Sequence, residues 1–143
     1  MRTRDEKIDL LRALPPFAGA SRRELHVLAS ASDVATADAG RVLLRADRHA
    51  REAYLVIEGT VDVVVHGTVV STLGRGEFVG ELGVIDGEPR SADVVAATDV
   101  TVLAIQASTL RTLVETSRTL RMALLRQVAQ RVRKMDLLDL VAV

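Results

Sequence analysis

Phe78-Val79-Gly80-Glu81-Leu82-Gly83-Val84-Ile85-Asp86-Gly87-Glu88-Pro89-Arg90-Ser91-Ala92-Asp93-Val94 is the stretch on which the reading of this chain turns. A glycine leads into a short apolar turn, a carboxylate stands beside that glycine, and an arginine follows a second break at Asp86-Gly87. Gly80 has no Cβ, so the backbone there can approach a ligand closely. Glu81 to Ile85 can form one helical turn, whose first amides lack an intrahelical acceptor and so suit an anion. Arg90 returns after the break and offers a planar fork of donors that fits a phosphate. Glu81 is a poor phosphate ligand but can accept a hydrogen bond from a sugar hydroxyl. A ligand carrying a ribose beside a phosphodiester would use every one of these groups.

On both sides of this stretch the chain reads as strands. Asp33 to Ala37, Arg41 to Arg45, Ala53 to Ile57, Val61 to His66 and Thr68 to Leu73 are short β-prone runs before it. Asp93 to Ala97 and Val100 to Ile105 follow it. Turn residues separate them, among them Ala39-Gly40, Glu58-Gly59, His66-Gly67 and Gly74-Arg75-Gly76. About eight short strands with glycine turns between them fit an antiparallel barrel or a jelly roll.

Both ends of the chain are helical in pattern. Ile8, Leu11 and Leu14 recur at helical spacing over residues 4–14, and Pro15-Pro16 stops that helix. Ser21 with Glu24 three residues on is a capping-box signature, and Leu25, Leu28 and Ala29 give the second helix its apolar stripe. After Ala107, Ser108 is the expected cap of a short helix reaching about Glu115. A longer amphipathic helix is expected from about Ser117 to Leu140. Leu120, Leu124, Val128, Val132 and Met135 are predicted on one face, with Arg121, Arg126, Gln130, Arg133 and Lys134 on the others. The expected organisation is a helical segment 1–32, a β core 33–106 holding residues 78–94, and C-terminal helices 107–143, together one functional domain.

Bulk composition narrows the function classes. A chain of 143 residues is expected to form one compact domain. Apolar residues make up 48% and aromatic residues only 2%, so the core must be aliphatic. Nineteen basic residues balance nineteen acidic ones, which argues against a chain whose main work is gripping nucleic acid. There is no cysteine, hence no disulfide and no thiolate metal site. No apolar run has membrane-spanning length, and the charged N-terminus lacks a signal-peptide core, so a cytoplasmic protein is expected.

The central stretch resembles the phosphate-binding cassette of cyclic nucleotide-binding domains, as in bacterial catabolite activator proteins and the regulatory subunits of cAMP-dependent protein kinase. The family pattern, roughly F-G-E-L-A-L and then P-R-S/A-A-T-V, is met by Phe78-Val79-Gly80-Glu81-Leu82-Gly83-Val84-Ile85 and Pro89-Arg90-Ser91-Ala92-Asp93-Val94. Gly83 stands where alanine is usual and Asp93 where threonine is common. Glu58-Gly59-Thr60-Val61 resembles the family's glycine turn, and residues 4–32 resemble its N-terminal helical bundle.

The resemblance implies an α+β fold, an eight-stranded antiparallel β-barrel of jelly-roll type with N-terminal helices, a cassette helix and C-terminal hinge helices. It implies cyclic nucleotide binding, with cAMP favoured over cGMP, and no cofactor. Gly80, Glu81, Leu82, Gly83, Arg90, Ser91 and Ala92 would bind ligand, and Arg131 or Met135 would cover the base when the last helix moves. A homodimer through that helix and a separate downstream protein are the implied partners, with no direct DNA contact and no membrane. Two further readings are carried. In one, Asp86 and Asp93 mark a degenerate domain that serves as an interaction or dimerisation scaffold. In the other, the chain is the sensory piece of a larger transcription factor or enzyme.

Other constellations have blander accounts. Gly74-x-Gly76-x-x-x-Gly80 has one residue too many for a dinucleotide fingerprint and no βαβ unit around it, so a strand turn explains it better. His26, His49 and His66 are scattered without carboxylate partners and read as surface residues rather than metal ligands. No nucleophile elbow or Walker pattern occurs, and an enzyme is not expected. The arginines of the last helix are diluted by Glu115, Asp136 and Asp139 and fit a solvated face.

Overall fold

The computed structural model describes residues 3–49, 51–90 and 92–139, with side chains as far as Lys134. Helix α1 spans Arg4–Arg12, a 3-10 turn spans Pro15–Phe17, and α2 spans Arg22–Ser30. The strands are β1 (Ser32–Ala37), β2 (Val42–Leu44), β3 (Glu52–Glu58), β4 (Val61–Val65), β5 (Thr68–Leu73), β6 (Phe78–Val79), β7 (Asp93–Ala96) and β8 (Val100–Gln106). Helix α3 (Glu81–Asp86) lies between β6 and β7, and α4 (Ala107–Thr116) and α5 (Arg118–Asp139) close the order.

The strands form two four-stranded antiparallel sheets, β1-β8-β3-β6 and β2-β7-β4-β5. This is the expected jelly roll, but no ladder joins the sheets into a closed barrel among the described residues. The edge strands β2 and β6, three and two residues long, offer too short a ladder for closure. Strand β6 is also the one strand hidden in the cassette stretch: too short for a period, it forms because Tyr54 and Leu55 of β3 pair with it.

Two apolar clusters follow from the pleat. Side chains alternate faces along a strand, so Ala53, Leu55 and Ile57 of β3 join the helices while Val56 turns to the second sheet. On β8, Leu103 and Ile105 face the helices and Val100 and Val102 the other sheet. The central strands β3 and β8 therefore contribute to both clusters, which explains their near-continuous apolar sequence, whereas the edge strand β1 leaves Asp33, Ala35 and Thr36 exposed. Phe17 packs edge-on against Phe78, ring centres 6.0 Å apart, and anchors the turn after α1 to the start of the cassette.

The helix ends obey local chemistry. Thr3 with Glu6 and Ser21 with Glu24 make complete capping boxes. Helix α1 stops at Arg12, two residues before Leu14, because Pro15 and Pro16 convert the next turn to 3-10 geometry. At α4 the cap position is Gln106 rather than Ser108, which lies inside the helix.

The expected apolar row on α5 is only partly buried. Leu120, Ala123, Leu124 and Gln127 face the core, whereas Val132 is 50% and Leu125 55% exposed. A row of i, i+4 steps drifts by about 40° per step around a 3.6-residue helix, so Val132 has rotated off the face that Leu120 occupies.

Candidate ligand-binding site

The cassette is built around a left-handed residue. Gly80 caps α3 at φ 79° and ψ 8°, a backbone region that costs an L side chain about 1–2 kcal/mol. A Cβ there would sit 2.2 Å from Arg90 Nη1 and 2.7 Å from Leu44 Cδ1. Glycine is therefore required twice, once by the turn and once by the guanidinium beside it.

Arg90 is pinned from both its backbone and its side chain. Its amide donates to Arg48 O at 2.9 Å, and its carbonyl accepts from Asp47 N at 2.8 Å. Its guanidinium donates to Gly80 O at 3.2 Å and to Glu52 O at 2.6 Å. Only 9% of the residue is exposed. Burial holds the Arg90 pKa below the usual arginine value, against the pull of Tyr54, Glu52 and Glu81, and a guanidinium still remains charged. Next to it, Tyr54 donates to Glu52 Oε1 at 2.7 Å. Burial first, and Glu52 second, push the Tyr54 hydroxyl up to about 12.

Glu81 opens α3 and is 1% exposed. Burial raises its pKa above the ordinary 4.5, opposed by Arg131, its own amide and Arg90. Arg131 reaches across from α5 to pair with Glu81 through Nη1 and with Phe78 O through Nη2. The Arg131 Nε is buried with no partner among the described residues. Gln127, one turn earlier on α5, donates to Gly76 O at 2.7 Å and accepts from Phe78 N at 2.9 Å. Helix α5 thus grips the strand that leads into the cassette.

These groups surround a cavity of about 120 Å³ between α3 and the inner face of the second sheet. Leu44, Val63, Leu73, Val79 and Val94 make its apolar wall. Gly80, Glu81, Leu82, Gly83, Arg90, Ala92 and Arg131 line the rest. The structure brings these sequence-predicted residues together; Ser91 and the Met135 side chain lie outside the described residues. Leu82 also faces outward, with half its surface exposed. Asp93 does not stand free beside the cavity: its Oδ1 accepts from Ala46 N at 2.6 Å, tying the loop after β2 to β7.

Two site contributors escaped the sequence reading. Glu52 serves Arg90 through its backbone carbonyl, which no residue pattern reveals. Arg111 of α4 donates through Nε to Val84 O at 3.1 Å, linking the cassette helix to the helix pair that follows β8.

A cradle of this kind, an arginine and a carboxylate flanking a glycine turn in a jelly roll, defines a class. Residues 35–117 match the profile of the cyclic nucleotide-binding domain. The chain belongs to the cyclic nucleotide-binding domain family. It is similar to a cyclic nucleotide-gated potassium channel of Mesorhizobium japonicum, 35% identical over 108 residues that make up 76% of this chain and 30% of the channel. It is similar to a cAMP-dependent protein kinase regulatory subunit of Aspergillus niger, 32% identical over 99 residues that make up 68% of this chain and 23% of the subunit. Among solved structures it resembles the regulatory subunit of a cAMP-independent protein kinase A from Trypanosoma brucei, with a TM-score of 0.75 and 27% identity over 89% of this chain and 46% of that one. The chain thus spans less than a third of the curated relatives it matches here. No described helix is long and apolar enough to cross a membrane.

Proposed function

We propose that this domain reversibly binds a cyclic purine mononucleotide, cAMP in preference to cGMP, and acts as a regulatory sensor rather than an enzyme. The observation that carries the proposal is the burial of Arg90 beside Gly80 and Glu81, anchored on two carbonyls with the rest of its donor fork at the cavity. The phosphate takes Arg90, Ser91 and the first amides of α3; the ribose 2′-hydroxyl takes Glu81; the base lies toward α5. Residues 1–32, 33–106 and 107–143 then act as one cytoplasmic unit, with Arg131 and Met135 as the lid.

Arg131 gives α5 a stake in the site. It already holds Glu81, so ligand that engages Glu81 must share or displace it. Ligand shifts α5 only by its difference in affinity for the two helix positions. The signal then passes to a separate protein through the exposed part of α5, whose Leu125 and Val132 also suit a homodimer seam. Isothermal calorimetry with cAMP, cGMP and 2′-deoxy-cAMP tests the reading: saturable binding of cAMP, weaker for the deoxy ligand, is expected. Heat from none of them sinks it. The Arg131–Glu81 pair favours one second reading, a degenerate scaffold whose carboxylate is permanently closed, and the same titration separates the two.

A further inference from the structure

On the other side of α5 from the cassette cavity lies a groove with a different chemistry. Two adjoining cavities, of about 400 and 280 Å³, share Pro15, Pro16 and Arg126. Arg118, Met122, Arg126 and Gln130 line them from α5 at i, i+4 spacing, and Arg75 lines them from the turn after β5. Proline offers no N–H, so the wall opposite α5 is rigid, apolar and without a donor. Gly76 packs beneath that wall, its Cβ position 3.4 Å from Pro16 Cδ.

The charges in this groove are unbalanced in a chain whose formal net charge is zero. The only ion pair among the described residues is Arg131 with Glu81, so Arg75, Arg118 and Arg126 pair with no carboxylate there. Arg75 is steadied by donating to Ala13 O at 3.1 Å. Glu77, the one acid in the lining, accepts from Gly74 N at 2.7 Å. Arg118 sits at the first position of α5, where the helix dipole disfavours a cation. Its neighbour Arg121 turns away to the carbonyls of Val114 and Glu115, whereas Arg118 and Arg126 stay exposed. Local stability does not account for that placement.

We infer that this groove docks an extended acidic peptide of a partner protein, with acidic side chains four residues apart and an aliphatic side chain midway. The spacing is geometric. Residues eight apart on a helix are about 12 Å apart along its axis. Residues i and i+4 of an extended strand are about 13 Å apart and share a face with i+2. The two acids therefore reach Arg118 and Arg126 while the middle side chain rests on Met122, a soft and adaptable surface, against the proline wall. The proposal does not depend on cyclic nucleotide binding, since none of these residues lines the cassette cavity.

The test is fluorescence anisotropy on the full 143-residue chain with a labelled peptide containing Asp-Ser-Leu-Ser-Asp. Saturable binding that weakens as salt rises is expected. The double variant Arg118→Glu/Arg126→Glu should bind about tenfold more weakly, with an unchanged circular dichroism melt showing that it still folds. A peptide of the same composition with its two Asp adjacent should also bind several-fold more weakly. Absence of saturable binding, or binding indifferent to both changes, overturns the proposal. So does tighter, arginine-dependent binding of inorganic polyphosphate, which would make the groove a general polyanion surface.

Discussion

Helix α5 is held at its start and again past its middle by two glutamates in opposite situations. At its start, Glu24 of α2 is half-buried and accepts hydrogen bonds from the Ser117 hydroxyl, from Thr119 Oγ1 at 3.4 Å and from Ser21 N at 3.0 Å. Those donors, the Ser117 hydroxyl first, lower its pKa below 4.5 despite some burial. Past its middle, Glu81 meets Arg131 but is so enclosed that burial wins and its pKa rises. Two copies of one side chain thus bind the same helix with opposite proton linkage. The joint at Ser117 is tightest when its carboxylate is charged, and the cassette end carries a charge it holds reluctantly.

The largest expected effect removes the fork. Arg90→Ala should weaken cyclic nucleotide binding by at least about 100-fold, the usual scale for losing one member of a buried charge-assisted contact. Arg90→Lys should be intermediate, because a point charge cannot grip a phosphate and the carbonyls of Gly80 and Glu52 together. Calorimetry reads both; unchanged affinity in Arg90→Ala would remove the phosphate role.

Next in size is Gly80→Ala. The positive φ and the 2.2 Å approach to Arg90 Nη1 act together, so a loss of about 2–3 kcal/mol in urea unfolding is expected. A smaller loss, under about 0.5 kcal/mol, would mean that the cassette rearranges freely.

Breaking the pair at the cassette end should come third. Arg131→Leu leaves Glu81 enclosed without its cation and should cost about 2 kcal/mol at neutral pH, reduced from the fully buried case because Arg131 is 21% exposed. Adding Glu81→Gln should recover most of that loss. Denaturant melts of the single and double variants check it; equal stability of all three would show that the pair is passive.

The smallest effects separate the two glutamates by sign. Glu24 has a lowered folded pKa, so its contribution is present above pH 4.5 and fades as pH falls through the lowered value. Glu24→Gln should therefore cost about 1 kcal/mol near neutrality and little in acid. Glu81 has a raised folded pKa, so its contribution is greatest below pH 4.5 and declines as pH rises through the raised value. The stability of wild type relative to Glu81→Gln should fall as pH rises, while that of wild type relative to Glu24→Gln should rise. Parallel slopes in a pH series of urea melts would refute the contrast.

Much of this was legible in the chain. The β-prone runs Val61 to His66, Thr68 to Leu73 and Val100 to Ile105 name strands because β-branched side chains suit a pleated surface and turn residues bound them, and Ser21 with Glu24 names the start of α2 because orphan amides need an acceptor. The cassette residues from Gly80 to Arg90 could be picked out because a left-handed glycine, a helix start and a planar fork are local requirements. Three features were not legible. Strand β6 has two residues and no period of its own. The buried face of α5 turned away from Val132 because the packing partner, not the row of apolar residues, sets the rotation. Glu24 read as a cap alone, and nothing nearby in sequence told of Ser117, 93 positions away.

Local sequence thus set the order of the helices and of every strand but β6, the glycine turn of the cassette and the chemistry offered by Glu81 and Arg90, since each depends on neighbours along the chain. Tertiary structure alone decided that the strands pair as two open sheets, that Arg131 meets Glu81, and that Arg118 and Arg126 face a proline wall. Arg131 and Glu81 lie 50 positions apart and the proline wall more than 100 from Arg118, and which distant contacts form depends on how buried surfaces pack together, a competition that no local pattern encodes.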